Sequence, residues 1–321
     1  MRRGCAAARQ GPPTGSPMPL VLYRITTALT ICTWGLLVFG ASVRVHGAGL
    51  ACPDWPLCFG EVVPPIDLQV GLEFGHRVLA GLISLGFLGL GAALFRIRRA
   101  LPAEVGTLWL LAAIVLGVQV VLGGLTVLEL LAEWTVTSHL LAGNTFCLLL
   151  LLLALSLREA SAPRTRAPVG LPVRAAAVAL AIGVVSQLAM GGLVASSHAG
   201  LACGTFPSCN GAAWFPTFEG PVGLQVTHRL IGLLLLCVAL SLVGLTRGRG
   251  PQGRLALVLL AVISVQATLG IANVLLGLPV EVTLLHSLGA AATVLVTGWL
   301  HHEIWRAPVA AELPTASLEG A

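Results

Sequence analysis

The sequence predicts an all-α polytopic membrane protein, with eight transmembrane helices arranged as two pseudo-symmetric four-helix bundles. Of its 321 residues 56% are hydrophobic and only 10% are charged, more apolar surface than one soluble core can bury. A helix needs about 20 apolar residues to cross the hydrocarbon region, and lipid offers the backbone no other way to satisfy its hydrogen bonds. The eight apolar runs are centred near Ile31, Ser84, Leu116, Leu148, Gly183, Leu234, Val262 and Ala292.

An internal repeat divides these runs into two halves. The segment 40–52 (Gly to Cys) is echoed by 192–203 (Gly to Cys), and 118–123 (Val-Gln-Val-Val-Leu-Gly) by 265–270 (Val-Gln-Ala-Thr-Leu-Gly). Each half then contains four spans, so both halves start on the same side of the membrane. We expect them to be related by an axis along the membrane normal, as in other parallel repeats.

The arginines assign the two sides of the membrane. They cluster at the N-terminus and after the second, fourth and sixth spans, whereas the loops 41–70 and 196–221 carry few cations. Because cytoplasmic loops are rich in Lys and Arg, both termini are predicted to be cytoplasmic and the two long loops to lie outside. The net charge of +5 is thus a topology signal, and no nucleic-acid partner is expected. The arginines concerned are Arg2, Arg3, Arg9, Arg96, Arg98, Arg99, Arg158, Arg164, Arg166, Arg247, Arg249 and Arg254.

The polar segments set the domain boundaries. Residues 1–19 are basic, rich in Pro and Gly and free of acidic residues, so they are expected to form a disordered cytoplasmic tail, with a transit peptide as the alternative. The N-terminal half occupies 20–157 and the C-terminal half 172–305. A cytoplasmic linker at 158–171, rich in Pro, Arg and Ala, joins them, and 306–321 form a second cytoplasmic tail.

Four histidines stand at matched positions inside the spans. His76 and His228 follow the starts of the second and sixth spans, and His139 and His286 follow the starts of the fourth and eighth. All four spans begin at the outer face, so each half should bring two imidazoles to a similar depth. Ionisable residues within a membrane are costly and mark functional sites. Paired histidines on neighbouring helices predict a bis-histidyl haem in each half, because zinc would more often recruit cysteine or carboxylate as well.

One position beside these histidines breaks the repeat. Glu73 precedes His76 by three residues and lies on the same helix face, whereas the matching residue before His228 is Gln225. A carboxylate beside a haem can accept a proton or stabilise a developing cation, which a neutral amide cannot do. Glu73 is therefore the candidate catalytic residue, with a structural role at the start of its helix as the alternative.

Two arginines directly follow the histidines of the second and sixth spans. Arg77 and Arg229 are expected to contact haem propionates through charge-assisted hydrogen bonds, and the alternative is that they extend to the lipid headgroups. His301 and His302 lie near the inner end of the last span, and we expect them to extend to the headgroups in this way.

The cysteines of the two long loops form two pairs. Cys52 and Cys58 share the first outer loop, and Cys203 and Cys209 share the third. An oxidising compartment favours a disulfide in each loop. A redox-active dithiol or a metal site stays open as the alternative, although the spacing is wider than in a CxxC motif.

These motifs together resemble those of the bacterial heme A synthases. The resemblance rests on the eight spans, the segment Glu-Phe-Gly-His-Arg at 73–77, the segment Thr-His-Arg at 227–229, the paired loop cysteines, and His139 and His286. It covers nearly the whole chain beyond the N-terminal tail. It implies that the C-terminal half holds a low-spin haem b between its two histidines.

The resemblance also implies a substrate site and a reaction. Haem O would bind in the N-terminal half at His76, His139 and Glu73, and its C8 methyl group would be oxidised to a formyl group with water as the oxygen source. The product would be haem A for terminal oxidases. Haem b would pass electrons to an acceptor that the sequence does not identify.

The same resemblance implies where the protein acts and with what. It places the chain in the lipid bilayer of the bacterial cytoplasmic membrane, with haem O synthase as an expected partner. In similar proteins the pair Cys52 and Cys58 is functionally relevant, whereas Cys203 and Cys209 are more structural.

Two other classes of protein also pair histidines in four-helix bundles. A dihaem b-type electron carrier or quinol oxidoreductase needs two equivalent ligand sets, and the difference between Glu73 and Gln225 counts against it. A non-catalytic haem transporter or chaperone needs a passage between the two faces, and the four histidines are all expected near one face. Heme A synthesis is therefore the favoured function.

Overall fold

The computed structural model describes residues 17–211, 213–248 and 250–308, and eight helices in this part are long and apolar enough to cross a membrane. The prediction of an all-α polytopic membrane protein is confirmed. Arg2, Arg3, Arg9, Arg249 and most of both tails lie outside the described residues. The helices are α1 (Pro17–Val45), α2 (Leu68–Ile97), α3 (Ala103–Leu128), α4 (Glu133–Ser161), α5 (Leu171–Ser196), α6 (Gly220–Leu245), α7 (Pro251–Leu275) and α8 (Val280–Trp305).

The helix starts follow ordinary capping chemistry. The carboxylate of Asp67 accepts a hydrogen bond of 2.8 Å from the backbone N–H of Val70, which satisfies one of the free donors at the start of α2. Proline stands in the first turn of α5, α6 and α7, where its missing N–H removes no helical hydrogen bond. The spans therefore begin where the sequence changes from loop residues to apolar ones.

The helices pack within each half and across the two halves. In the N-terminal half α1 packs against α2 and α4, and α3 against α4, while in the C-terminal half α5 packs against α6 and α8, and α7 against α8. Contacts of α4 with α5 and α8, and of α1 with α8, join the halves. In α4, 56% of the most apolar stretch is buried, against at most 22% in the other spans. Thus α4 is the central helix. The relation of the two halves by an axis along the membrane normal stays a prediction.

Two short turns pack against the long loops at one end of the bundle. Leu131, between α3 and α4, and Leu278, between α7 and α8, both have a left-handed φ of 62°. A Cβ at Gly49 would lie 3.3 Å from Leu131, and one at Gly200 would lie 3.0 Å from Leu278, so each leucine packs against a loop glycine. We call this end, which holds the four loop cysteines, the disulfide end. The opposite end, which holds the segment between α4 and α5, is called the linker end.

A buried ion-pair network occupies the linker end. Arg166 donates to Glu159 at 2.5 Å and to Glu303 at 2.8 Å. Burial lowers the pKa of Arg166, but the hydrogen bonds and charges of the two carboxylates outweigh burial and raise that pKa above its ordinary value. His302 contacts Glu159 at 3.2 Å, and His301 contacts a backbone carbonyl of α5 at 2.7 Å. The expectation that these two histidines extend to the headgroups is therefore wrong, because both find partners inside the bundle.

Candidate functional site

Each of the four matched histidines lies against a glycine of the preceding helix. A Cβ at any of these glycines would lie only 3.0 to 3.2 Å from the imidazole Cε1, closer than side chains normally approach. A larger residue would push the ring away, so glycine lets Cε1 of the imidazole approach the neighbouring backbone closely. The pairs are His76 with Gly40, His139 with Gly123, His228 with Gly191, and His286 with Gly270.

The structure brings the histidines together as two pairs. His76 interacts electrostatically with His139, and His228 with His286. In all four rings Nδ1 is buried without a hydrogen-bond partner among the described residues. The other ring nitrogen, Nε2, is not both buried and unpartnered in any of them. Two imidazoles from different helices are a suitable donor set for the iron of one haem.

The donor set also argues against a bare metal ion. Within the described residues no group of three or more His, Cys, Asp or Glu side chains could hold one. A metal bound between two histidines must then take its remaining ligands from elsewhere, and a porphyrin supplies four nitrogens in a plane. The residues present therefore fit a haem in each half.

Glutamines near the histidines were not recognised from the sequence. Gln119 and Gln187 place their amide nitrogens 3.4 Å from Nε2 of His139 and of His228. Gln266 donates to the backbone carbonyl of His286 at 2.8 Å. Each of these glutamines precedes by four residues the glycine under the histidine, and the fourth such position is a leucine, in α1. The spacing Gln-x-x-x-Gly was the signal that could have found them.

The structure corrects the alignment of the two halves. The sequence repeat was aligned from Gly192, but the glycine under the imidazole is Gly191, so Gly40 corresponds to Gly191. Counting onward with no gap pairs Gly47 with His198. These two residues have left-handed φ values of 67° and 56°, which supports the new register. The repeat is ambiguous in the sequence at this point, because Gly192 stands directly beside Gly191, the glycine that contacts His228.

In the N-terminal half, Glu73 and Arg77 fasten the disulfide loop to α2. Glu73 is 5% exposed, and its carboxylate accepts from Arg77 at 2.5 Å and from the backbone N–H of Cys52 at 2.9 Å. Arg77 also donates to the carbonyls of Asp54 at 2.9 Å and Leu57 at 2.7 Å. The carboxylate thus lies between the loop and the helix face that carries His76, one turn away.

In the C-terminal half, Gln225 and Arg229 hold the equivalent loop with different bonds. Gln225 donates to the carbonyl of Gly200 at 2.5 Å, and Arg229 donates to the carbonyl of Cys203 at 2.7 Å. The guanidinium of Arg229 also lies over the ring of Phe206, 5.7 Å from its centroid. Its Nη1 is buried with no partner among the described residues. In the described residues, the position of Glu73 is thus occupied by an amide in this half, and Arg229 keeps an unused donor.

Both predicted disulfides are present. Cys52 is bonded to Cys58 and Cys203 to Cys209, each across six positions of sequence. All four cysteines are buried. Each bond closes the loop that the residues of α2 or α6 contact, so each loop is attached both to itself and to a histidine-bearing helix.

Known proteins resemble this chain along both of its halves. The family COX15-CtaA, described as "Cytochrome oxidase assembly protein", matches residues 23–71 and 68–297. Proteins named heme A synthase are similar over most of their length. The relative from Shewanella oneidensis is 30% identical over 88% of this chain and 96% of its own, the one from Methylobacterium sp. 29% over 79% and 84%, and the one from Alkalihalophilus pseudofirmus 29% over 72% and 77%. With both halves matched, the chain belongs to the COX15-CtaA family of cytochrome oxidase assembly proteins.

Proposed function

We propose that this chain is a heme A synthase, an oxidoreductase that converts the C8 methyl group of haem O to the formyl group of haem A. The observation that carries the proposal is two histidine pairs of the same construction, only one of which has a carboxylate beside it. The relatives named heme A synthase match this chain along most of its length. Two equal haem sites would suit an electron carrier, whereas one altered site suits an enzyme.

We assign haem b to the C-terminal half. His228 and His286 would hold its iron, and the polar residues Gln187 and Gln225 near them are amides, which carry no acidic group. When bound, haem b supplies one-electron redox chemistry between the substrate and an acceptor. The residues around it bind the cofactor and orient its ligands, and none of them is suited to move a proton.

We assign the substrate haem O to the N-terminal half. His76 and His139 would hold its iron and so fix the position of the porphyrin edge relative to Glu73. As the methyl group is oxidised, water supplies the oxygen while protons and electrons leave. A carboxylate held by Arg77 and by a backbone N–H can stabilise positive charge at the reacting carbon or accept a proton.

The protein is a multi-pass membrane protein, and its finer placement is part of the proposal. The arginine distribution supports both termini and the linker end in the cytoplasm. The two disulfides support a disulfide end outside the bacterial cytoplasmic membrane, in an oxidising compartment. Haem O synthase would supply the substrate, and the electron acceptor is a further partner.

The test is to follow the pigments of purified protein. Cells that also make haem O should yield protein with one low-spin haem b and with haem A or haem O extracted from the second site. His76→Ala should abolish haem A but leave haem b. The matched control is His46→Ala, the same change at an exposed histidine in the turn after α1. Protein that binds two equivalent b haems and converts no haem O would support the dihaem carrier instead.

A further inference from the structure

Arg44 is an arginine at the disulfide end with no role in the sites described so far. It lies in the last turn of α1, in the N-terminal half. Its side chain is exposed and makes no hydrogen bond or ion pair with the residues that the structure describes. Its electrostatic interaction is with His286, a ligand of the opposite half. An arginine at the end of a membrane helix can extend to the headgroups, so the informative observation is its interaction with a histidine of the other half.

The packing of α1 explains how Arg44 reaches the other half. The helix α1 packs against α8, and the indole of Trp34 donates to the carbonyl of Leu288 at 3.4 Å. Arg44 lies ten residues beyond Trp34, about 15 Å towards the disulfide end at the helical rise per residue. Arg44 therefore lies on the disulfide side of the C-terminal histidine pair, close enough to act electrostatically on His286.

The contact of α5 with the N-terminal half corresponds to that of α1 with the C-terminal half, but it has no cation at the matching position. The last turn of α5 packs against α4 beside the N-terminal site, where Ser196 and Thr137 approach to 3.5 Å. A Cβ at Gly192 would lie 3.0 Å from Thr137. In the corrected register the residue of α5 that corresponds to Arg44 is Ala195. Thus the end of α1 packs beside the C-terminal site and the end of α5 packs beside the N-terminal site. Of these two helix ends only that of α1 carries a charged residue at this position.

The arginines on α2 and α6 differ in the same sense. Arg77 is engaged by Glu73 and by two loop carbonyls. Arg229 has one loop carbonyl and a buried Nη1 that lacks a partner. The C-terminal site therefore has two arginines whose guanidinium groups the protein engages little, whereas Arg77 of the N-terminal site makes three hydrogen bonds.

We propose that Arg44, although it belongs to the N-terminal half, binds a propionate of the haem held by His228 and His286. This rests on the proposed assignment of haem b to that pair. Propionates are the anions that a haem presents at its edge, and guanidinium binds carboxylate through paired charge-assisted hydrogen bonds. Arg44 and the free donor of Arg229 together hold the haem that stays in the protein. The N-terminal site has Ala195 instead, and it holds a haem that must leave as product.

The rate of haem loss tests this proposal. Arg44→Gln protein should lose low-spin haem b to an excess of a haem-scavenging apoprotein about tenfold faster than the unchanged protein, since a charge-assisted bond is lost. Arg44→Lys should restore part of the retention, because the charge remains without the planar fork. Arg24→Gln, the same change at the opposite end of α1, is the matched control. An unchanged rate in Arg44→Gln would overturn the proposal.

A second readout separates this proposal from the assignment on which it rests. The reduction potential of haem b should fall in Arg44→Gln, because a cation that disfavours the oxidised, more positive haem has been removed. If His228→Ala and His286→Ala each leave the low-spin haem intact, the proposed haem b site itself fails, whatever Arg44→Gln does. If they abolish it while Arg44→Gln changes neither rate nor potential, only the role of Arg44 fails. Ala195→Arg should slow the release of haem A from the N-terminal site, and unchanged release would count against the retention argument.

Discussion

The two halves of this protein share one construction, and three of the differences near the histidines change its polar contacts. In both halves an imidazole lies on a glycine of the preceding helix, and a disulfide loop is fastened to the helix that carries the first histidine of the pair. The N-terminal half has Glu73 and Leu36 where the C-terminal half has Gln225 and Gln187. The third difference is Arg44 against Ala195. Under the proposed assignments, the shared backbone construction sets the position of each haem, and a few side chains decide which haem is substrate and which is cofactor.

The first of these differences changes the hydrogen bond by which the helix holds its loop. Glu73 accepts from the backbone N–H of Cys52, whereas Gln225 donates to the carbonyl of Gly200. A carboxylate can take both Cys52 and Arg77 as donors, and an amide offers only one acceptor oxygen. Exchange of these residues between the halves is therefore not neutral, although they are nearly equal in size.

The largest effect should come from removing a ligand of the retained haem. His228→Ala or His286→Ala should abolish the six-coordinate low-spin spectrum, because each axial ligand comes from a different helix. Absorption spectra of the reduced and oxidised protein measure this. His76→Ala should keep that spectrum, so loss of the low-spin haem in the His76 variant would break the comparison between the halves.

The next effect should come from the carboxylate of the substrate half. Glu73→Gln should retain haem b and lower haem A formation about 100-fold, as expected when a preorganised charge at the reacting centre is lost. Haem O or a hydroxylated intermediate should accumulate, measured by extraction and mass analysis. Glu61→Gln, the same change at an exposed loop residue of the same half, is the control. Haem A formation at the original rate in Glu73→Gln would return Glu73 to a purely structural role.

Smaller effects should follow from filling the glycine contacts. An alanine at Gly40 places Cβ 3.0 Å from the ring of His76 and should displace it by a few tenths of an ångström, lowering haem A formation about threefold to tenfold. Gly191→Ala should instead weaken haem b binding. Gly35→Ala is the control, because nothing lies within 4 Å of that position on the same helix. Equal effects of Gly40→Ala and Gly191→Ala on haem b would show that the sites are not separate.

The smallest effect should come from the loop disulfides. Replacement of both cysteines of either pair by serine should destabilise the protein by about 2 kcal/mol, the entropy of a short closed loop, measured by thermal unfolding in detergent. Replacement of Cys52 and Cys58 should also lower haem A formation, because their loop contacts Glu73. Replacement of the other pair should leave haem A formation unchanged. Alkylation before and after reduction should shift the masses of both loop peptides. Free thiols at both pairs in untreated protein would contradict the disulfides.

Much of the fold and part of the site could be predicted from the sequence. Apolar runs long enough to span a bilayer leave few alternatives to helices, so the eight spans were found, and the two loop cysteine pairs were matched correctly. The four histidines were visible because ionisable residues are rare in such spans. The pairing of His76 with His139 followed from the order of the spans.

Contacts between helices could not be predicted in the same way. The glycine under each ring depends on how two helices are rotated against each other, and a shift from Gly192 to Gly191 turns the helix by about 100°. The same limit hid the amides of Gln119 and Gln187. His302 was expected at the headgroups, because the carboxylate of Glu159 lies far away in sequence and meets it only in the folded bundle.

The burial of α4 has a consequence for how the protein assembles. This helix carries His139, yet its other faces are covered by α5 and α8 of the second half. During synthesis the first four spans are inserted before those two helices exist, so a face made for protein contact is left against lipid until the last span arrives. The packing around α4 is therefore complete only when the C-terminal half is present. A protein truncated after α4 should be inserted with this face still exposed to lipid.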